Sequence, residues 1–322
     1  MTEIPTETLV TVFGGSGFLG RHVVRALARE GYRIRPAVRR PDLAGHLQPL
    51  GRVGQIHAVQ ANLRYPESVE AAVRDADVVV NLVGILFERG KQSFDAVQAE
   101  GAACVARAAA AAGARVVHVS ALGASKDSTA LYARSKAAGE AAVLAAVPDA
   151  TILRPSILFG PEDDFFNRFA ALARMSPALP LIGGGETKFQ PVFVGDVAQA
   201  VMRAVGGWAK GGRTYEFGGP EVKTFRALME YVLAVTERKR LLMPLPFGLA
   251  RLQARVLQLM PKPLLTPDQV ELLRSDNIVS EAATSEGRTL AAFGIEPAAM
   301  EAIVPSYLWR FRKAGQFRGR VA

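Results

Sequence analysis

Residues Thr8 to Gly20 read TLVTVFGGSGFLG. Leu9 to Phe13 are apolar and rich in β-branched side chains, which predicts a buried strand. Gly14, Gly17 and Gly20 follow at three-residue intervals, and an amphipathic run begins at Phe18 with Leu19, Val23, Val24 and Leu27. The order is strand, tight glycine turn, helix. Such a turn brings backbone to a pyrophosphate with no Cβ in the way, and the helix N-terminus offers free N–H groups and a positive dipole end. Gly14, Ser16, Gly17, Phe18, Leu19 and Gly20 are therefore candidate dinucleotide-binding residues. A glycine trio alone also occurs in plain turns, so its meaning depends on the rest of the chain.

The chain has 322 residues, 49% of them hydrophobic and 21% charged, which suits one large α/β domain or two intimately packed ones. A single cysteine, Cys104, excludes an internal disulfide, and no Cys/His cluster offers a metal site. The N-terminus MTEIPTET is acidic and polar, unlike a signal peptide. No apolar run reaches the roughly 18 residues of a membrane span. A reducing, cytoplasmic location is expected. The formal charge of +9 fits solubility and an anionic cofactor. Docking on acidic lipid or on a protein complex is a second reading of that charge, and nucleic acid is not expected because no motif for it is present.

Outward from the opening unit, strand and helix patterns alternate. Strands are predicted at Tyr32 to Val38, Gln55 to Gln60, Asp77 to Val83, Arg115 to Ser120 and Ala150 to Leu153. Helices are predicted at Phe94 to Ala112 and Leu131 to Val147. Regular alternation implies an α/β fold, a Rossmann-type doubly wound parallel sheet with right-handed crossovers. After Arg154-Pro155 the rhythm breaks, and residues 155–322 read as a smaller α+β substrate or interaction portion. The nucleotide-binding domain is expected over 1–154, with a strand and helix from about residues 186–220 returning to it. Asp196 is expected to cap a helix at Val197 to Val205, and Thr224 one at Phe225 to Val235.

An acid about 20 residues beyond the glycine turn would accept the ribose hydroxyls of NAD. Here strand two ends Ala37-Val38-Arg39-Arg40, with no acid. A guanidinium attracts a 2′-phosphate that a carboxylate would repel, so NADPH or NADP is favoured over NADH or NAD. The plain alternative is that Arg39 and Arg40 are solvated loop charges. Asn62 and Leu63 are expected near the adenine, and Val83 and Gly84 at the second ribose and phosphate.

Ser120 ends the fifth strand, Tyr132 follows 12 residues later, and Lys136 lies four beyond it on the same helical face. That pattern suits acid–base work on a carbonyl or alcohol. A free tyrosine titrates near 10, too high for a base at neutral pH, and a nearby ammonium favours its phenolate. Lys136 would also hold the nicotinamide ribose, and Ser120 would orient the substrate oxygen.

These residues make the chain similar to an extended or atypical short-chain dehydrogenase/reductase. GGSGFLG (Gly14 to Gly20), NLVG (Asn81 to Gly84), HVSALG (His118 to Gly123), YARSK (Tyr132 to Lys136) and RPSILFGPED (Arg154 to Asp163) fall in that family's order. FGPEDDFFNRF, LPLIGGGETKFQPVFVGDVAQAV and PSYLWRFRKAGQF more specifically resemble the 39 kDa NAD(P)H-binding accessory-subunit family of respiratory complex I, in its bacterial relatives. The resemblance implies tightly held NADPH, the Ser120, Tyr132 and Lys136 positions, and nicotinamide contacts near Pro155 to Ile157. It also implies a structural use of the nucleotide in mitochondrial members. Gln98 stands near where many active relatives place an Asn, a departure from the usual proton relay.

His118 reads as a satisfied core histidine. Glu162, Asp163 and Asp164 read as a loop that orders Asn167 and Arg168 rather than a metal cluster. Gly183 to Gly185 read as a bent turn beside the active cleft. Between Met243 and Leu265, prolines bracket a helix-like segment whose Leu249, Leu252, Val256, Leu259 and Met260 recur at helical spacing, opposite Arg251 and Arg255. A core-facing helix is the first expectation, and an interfacial helix at a bilayer or partner the alternative. The tail, Tyr307 to Lys313 with Phe317, Arg318 and Arg320, interleaves aromatics with cations and suits an anionic headgroup layer. Peripheral attachment to the cytoplasmic face of the inner membrane, or to its respiratory complex, follows as an expectation. Two functions stand open: an NADPH-dependent oxidoreductase acting on a hydrophobic carbonyl or hydroxyl, such as a quinone-pathway compound, and a nucleotide-holding accessory or assembly subunit.

Overall fold

The computed structural model describes residues 5–261, 263–313 and 315. The chain runs β1 (Leu9–Phe13), α1 (Phe18–Glu30), β2 (Arg33–Val38), β3 (Val59–Gln60), α2 (Pro66–Val73), β4 (Val78–Asn81), α3 (Glu100–Ala111), β5 (Arg115–Val119), α4 (Leu131–Ala146) and β6 (Thr151–Pro155). It continues with β7 (Leu158–Phe159), α5 (Phe166–Met175), β8 (Ala178–Ile182), β9 (Lys188–Phe189), β10 (Val192–Phe193), α6 (Val194–Val205), β11 (Thr214–Phe217), β12 (Lys223–Thr224) and α7 (Phe225–Val235). Last come β13 (Leu241–Leu245), α8 (Phe247–Leu257), α9 (Pro267–Leu272), α10 (Glu281–Ser285), α11 (Met300–Ile303) and α12 (Pro305–Leu308).

The chain forms two compact units. The first holds the residues up to Pro155 together with Gly195–Phe217 and Ser280–Glu296. Its sheet has the order β11-β6-β5-β4-β1-β2-β3, and every adjacent pair is parallel. β1 and β4 are buried along their whole length, as strands covered on both faces must be. The strand order reverses between β1 and β4: from β1 the chain runs outward to β2 and β3, then returns to β4 on the other side of β1. In such sheets the crevice at that switch point, outside the carboxyl ends of the strands, is where ligands bind.

Local chemistry moves some predicted boundaries. β3 is only two residues long, with Ile56 making a separate bridge to Ile34. β4 stops at Asn81 because its side-chain oxygen accepts the Val83 N–H (3.1 Å), closing a turn where the sequence pattern continues apolar to Val83. The helix predicted from Phe94 opens with a π turn at Asp95–Ala99 before α3. α6 begins at Val194, so Asp196 is inside its first turn rather than its cap. There its carboxylate meets the positive end of the helix.

Arg154 on β6 grips Glu140 of α4 through two hydrogen bonds (2.8 and 2.6 Å) and reaches Glu216 of β11 at 3.7 Å. The paired geometry matches a guanidinium fork to a carboxylate. Ser280–Glu296 lies along β11. The Ser280 N–H donates to Glu216 (2.8 Å), Arg288 donates to the Thr214 carbonyl (2.6 Å), and the Phe293 ring meets those of Tyr215 and Phe217. An edge strand that would offer unpaired backbone is thereby covered.

The second unit holds Ser156–Val194, Gly218–Val279 and the stretch from Pro297 on. Its strands pair in twos: β7 with β10, β8 with β13, and β9 with β12. α5 and α7 pack around a cluster of rings, Phe159, Phe165, Phe166, Phe189 and Phe225. Thr224 caps α7, its hydroxyl accepting the Ala227 N–H (3.1 Å). Gly183, Gly184 and Gly185 all have positive φ and form a bent turn. A Cβ on Gly183 would lie 2.4 Å from the Phe247 ring. Asp163 accepts the backbone N–H groups of Gly160, Phe165 and Asn167 and the Tyr307 hydroxyl (2.6 Å), so this carboxylate is a structural hub.

Two expectations are corrected here. The Tyr307 to Lys313 stretch is not a free aromatic-cationic tail: Tyr307 and Leu308 are buried, Arg312 donates to the Val235 carbonyl (2.8 Å), and Arg238 grips the Phe311 carbonyl. Phe317, Arg318 and Arg320 lie outside the described residues. α8 does form, but its leucines do not face the core. Ala250 and Ala254 take the packed face, and Leu249, Leu252 and Val256 are exposed. Among the described residues, no helix is long and apolar enough to cross a membrane.

Candidate nucleotide cleft and its polar neighbours

The glycine turn sits at the carboxyl end of β1. Gly14 has φ +79°, a left-handed conformation that L side chains rarely adopt. A Cβ on Gly20 would stand 2.2 Å from the Gly14 carbonyl oxygen, so only glycine lets α1 lie this close to the turn. Gly17 precedes α1 with no side chain capping it, and no acid occupies the first turn. The N-terminal N–H groups of α1 are thus offered to a ligand without a competing carboxylate.

A cleft of about 320 Å³ opens there. It is lined by Gly14, Ser16, Gly17, Phe18, Leu19 and Gly20 of the turn, Arg39 after β2, Asn62 and Leu63 after β3, and Val83 and Gly84 after β4. Arg64 and Gln92 also line it, and no lining residue is acidic. Sequence reasoning passed over both. Arg64, two residues beyond Asn62, was legible as a second cation. Gln92 lies in a loop with no motif, and its side-chain oxygen accepts from Arg39 (2.6 Å), setting that guanidinium.

Arg40 is placed differently. It is exposed, absent from the lining, and closed into a fork with Asp42 at 2.7–3.2 Å. That carboxylate two residues on holds the Arg40 guanidinium above its ordinary value and its own proton affinity below the usual carboxylate range. With its charge engaged there, Arg40 is not a lining cation and Arg39 stands alone after β2. Pro155 and Ile157 are also absent from the lining. The Pro155 carbonyl accepts the Leu122 N–H (3.0 Å) in the first unit, and the Ile157 carbonyl accepts the Val192 N–H (3.0 Å) in the second.

Ser120, Tyr132 and Lys136 do not line this cleft either, but Gly84 joins it to Lys136 and Gln98. A Cβ on Gly84 would stand 3.2 Å from the Lys136 ammonium and 3.5 Å from the Gln98 side-chain oxygen. Lys136 is buried and donates to the Val119 carbonyl (3.3 Å). Burial pushes its ammonium down to about 8, against the pull of Glu140. His118 is buried as well. Burial, and then the Lys136 charge, push its imidazolium down to about 3, so it is neutral. One of its ring nitrogens meets the Asn81 amide at 3.2 Å. Gln98, on the π turn, donates to the Ser135 hydroxyl (2.9 Å), which donates to the Tyr132 carbonyl (2.9 Å). The Tyr132 ring meets Phe94 edge-on.

Three buried polar atoms among the described residues make no hydrogen bond: the Gln98 oxygen, the second ring nitrogen of His118 and the Ser120 hydroxyl. All three residues flank the strand ends or the helix that carries Lys136. Buried polar atoms are ordinarily satisfied, so such a group of orphans marks a place built for a polar partner. The donors of the turn, the acid-free cleft and this polar group together fit a phosphate-bearing dinucleotide.

The family model described as the NAD dependent epimerase/dehydratase family matches residues 10–218. The chain is 36% identical over 320 residues to the mitochondrial NADH dehydrogenase [ubiquinone] 1 alpha subcomplex subunit 9 of Arabidopsis thaliana, covering 95% of this chain and 79% of that one. It is 40% identical over 174 residues to a ceramide reductase of Caulobacter vibrioides, covering 54% of each chain. Among solved structures, an Escherichia coli NADPH-dependent quinone oxidoreductase complexed with NADPH superposes with a TM-score of 0.73 at 19% identity, over 93% of this chain and 99% of that one. The chain belongs to the NAD dependent epimerase/dehydratase family, and within it to the group of the alpha subcomplex subunit 9, the 39 kDa subunit of complex I.

Proposed function

We propose that this chain holds NADP(H) at the β1–β4 switch point and works as a reductase or dehydrogenase on a carbonyl or hydroxyl of a hydrophobic substrate. The observation that carries this reading is the acid-free cleft, cationic at Arg39, that meets Lys136 across Gly84. The glycine turn and α1 would take the pyrophosphate, Arg39 the 2′-phosphate, and Asn62, Leu63, Val83 and Gly84 the adenine side and second ribose. Pro155 and Ile157 stay with this proposal as nicotinamide neighbours. When bound, the nicotinamide supplies or takes up a hydride. Tyr132 would give or remove the proton at its hydroxyl oxygen. Lys136, held charged in the lower part of its range, would favour the phenolate and grip the ribose, and Ser120 would orient the substrate oxygen.

A second reading, a non-catalytic accessory or assembly subunit, is favoured by similarity to the complex I subunit over nearly the whole chain. Either role would place the chain at the cytoplasmic face of an inner membrane, beside a respiratory complex.

Calorimetry with NADPH and NADH tests the shared part. NADPH is expected to bind more tightly, and Arg39→Ala to weaken NADPH by roughly tenfold or more while leaving NADH unchanged. No heat with either coenzyme would remove the proposal. Tyr132→Phe then separates the two readings: it abolishes an enzyme's turnover and leaves a scaffold's assembly intact.

A further inference from the structure

α8 carries three distinct faces. Ala250 and Ala254, one turn apart, pack with Ile182 and Val270. Leu249, Leu252 and Val256, at i, i+3 and i+7, form one stripe and are 55%, 59% and 66% exposed. Leu259, 82% exposed, and Met260 extend that stripe past the helix end. Arg251 and Arg255 form the third face, also exposed. On β13, Leu241 and Met243 are exposed at alternate positions.

Exposed leucines in such number are costly in water, and a contiguous apolar patch marks a surface that meets something. Charge says what. Residues 241–265 include Arg251, Arg255 and Lys262 and not one Asp or Glu. On the neighbouring α9, Glu271 is paired with Arg274 (3.2 Å), and Asp268 is the first acid after residue 265 in the sequence. A leucine stripe flanked by arginines and free of carboxylates matches the boundary of an anionic bilayer. The leucines enter the acyl edge while the long guanidinium stems reach the headgroups. A protein partner would have to supply both a matching apolar face and an acidic rim, and a second copy would set cations against cations, whereas an anionic bilayer supplies an apolar interior under a negative surface.

We propose that α8 is a docking surface for an anionic lipid bilayer. This deepens the membrane part of the function proposed above and stands on this surface alone. The full-length protein is tested by co-sedimentation with two kinds of vesicle: equal parts phosphatidylglycerol and phosphatidylcholine, and phosphatidylcholine alone. Binding is expected to the first kind only, and to weaken as salt rises. Arg251→Ala and Arg255→Ala should each weaken it roughly fivefold. The double variant Leu252→Glu/Val256→Glu should lose at least about tenfold, since two buried apolar groups become charged. Both positions are exposed, so the variant should fold, and calorimetry with NADPH checks this. The inference fails if the wild type ignores phosphatidylglycerol vesicles at low salt, or if the double variant binds them as well as the wild type. It also fails if the wild type dimerises through this face and the double variant is monomeric. Lost vesicle binding with intact NADPH binding, or the reverse, separates the fate of this surface from that of the cofactor reading.

Discussion

Lys136 shows how position outweighs residue type. Its ordinary value is 10.5, and burial lowers it to about 8. Between those values the unfolded chain holds a proton that the folded chain has released. The contribution of this group to stability is therefore present at high pH and is lost as pH falls through about 8. Below that value the fold carries a buried ammonium, which an anionic cofactor and a phenolate would offset. Calorimetry across this range should show wild-type NADPH affinity falling as pH rises through about 8. Lys136→Met should bind weakly with a flat profile. A flat wild-type profile would mean that this ammonium does not grip the nucleotide. The neighbouring His118 shifts in the same direction: burial first and the Lys136 charge second keep it neutral, and a sequence reading as a core histidine describes its burial but misses the free ring nitrogen.

Among the elements, the contact of α3 and α4 decides where Tyr132 and Lys136 lie. The π turn at Asp95–Ala99 pushes the Gln98 carbonyl toward α4, and a Cβ on Gly139 would stand 2.2 Å from that oxygen. Gln98 and Ser135 then pin the same helix by hydrogen bonds. Gly139→Ala gains about 1 kcal/mol of helix propensity but drives a methyl into backbone, which typically costs 1–3 kcal/mol and more where nothing can yield. The clash should win. Urea unfolding should show a lower midpoint, and NADPH binding should weaken because Lys136 moves with its helix. An unchanged midpoint would show that α4 shifts freely. Pattern alone predicted both helices, but it could not show that one glycine and one irregular turn set their separation.

For the whole molecule, each unit carries one tryptophan, Trp208 in the first and Trp309 in the second. Trp208 stacks under Arg203, whose guanidinium carbon is 5.0 Å from the ring centroid. A ligand that binds only the folded state stabilises it by about 2.7 kcal/mol at one hundred times its dissociation constant. In Trp309→Phe, which leaves Trp208 as reporter, saturating NADPH should raise the melting transition by several degrees, and NADH at the same concentration by less. An unmoved transition would mean that the first unit does not hold the nucleotide. The second unit contributes a different property, the exposed stripe of α8, whose lipid test needs no nucleotide.

The parallel doubly wound sheet was legible in the residue pattern, because strands covered on both faces must be continuously apolar and a turn crossed by a helix must be glycine. The places of the glycine turn, Arg39, Asn62, Leu63, Val83 and Gly84 in the cleft wall were legible for the same reason: each lies just past a strand end. Tertiary structure decided what depends on neighbours distant in sequence. It gave Arg40 to Asp42, put Gln92 beside Arg39, brought Gly84 against Lys136, and returned Ser280–Glu296 to β11. It also turned α8 over. Helical spacing marks a stripe of leucines but not which way it faces, and here two alanines fit the close-packed side while the leucines were left to solvent. Periodicity records that a face exists; only the packing of other segments against it determines whether that face is inside.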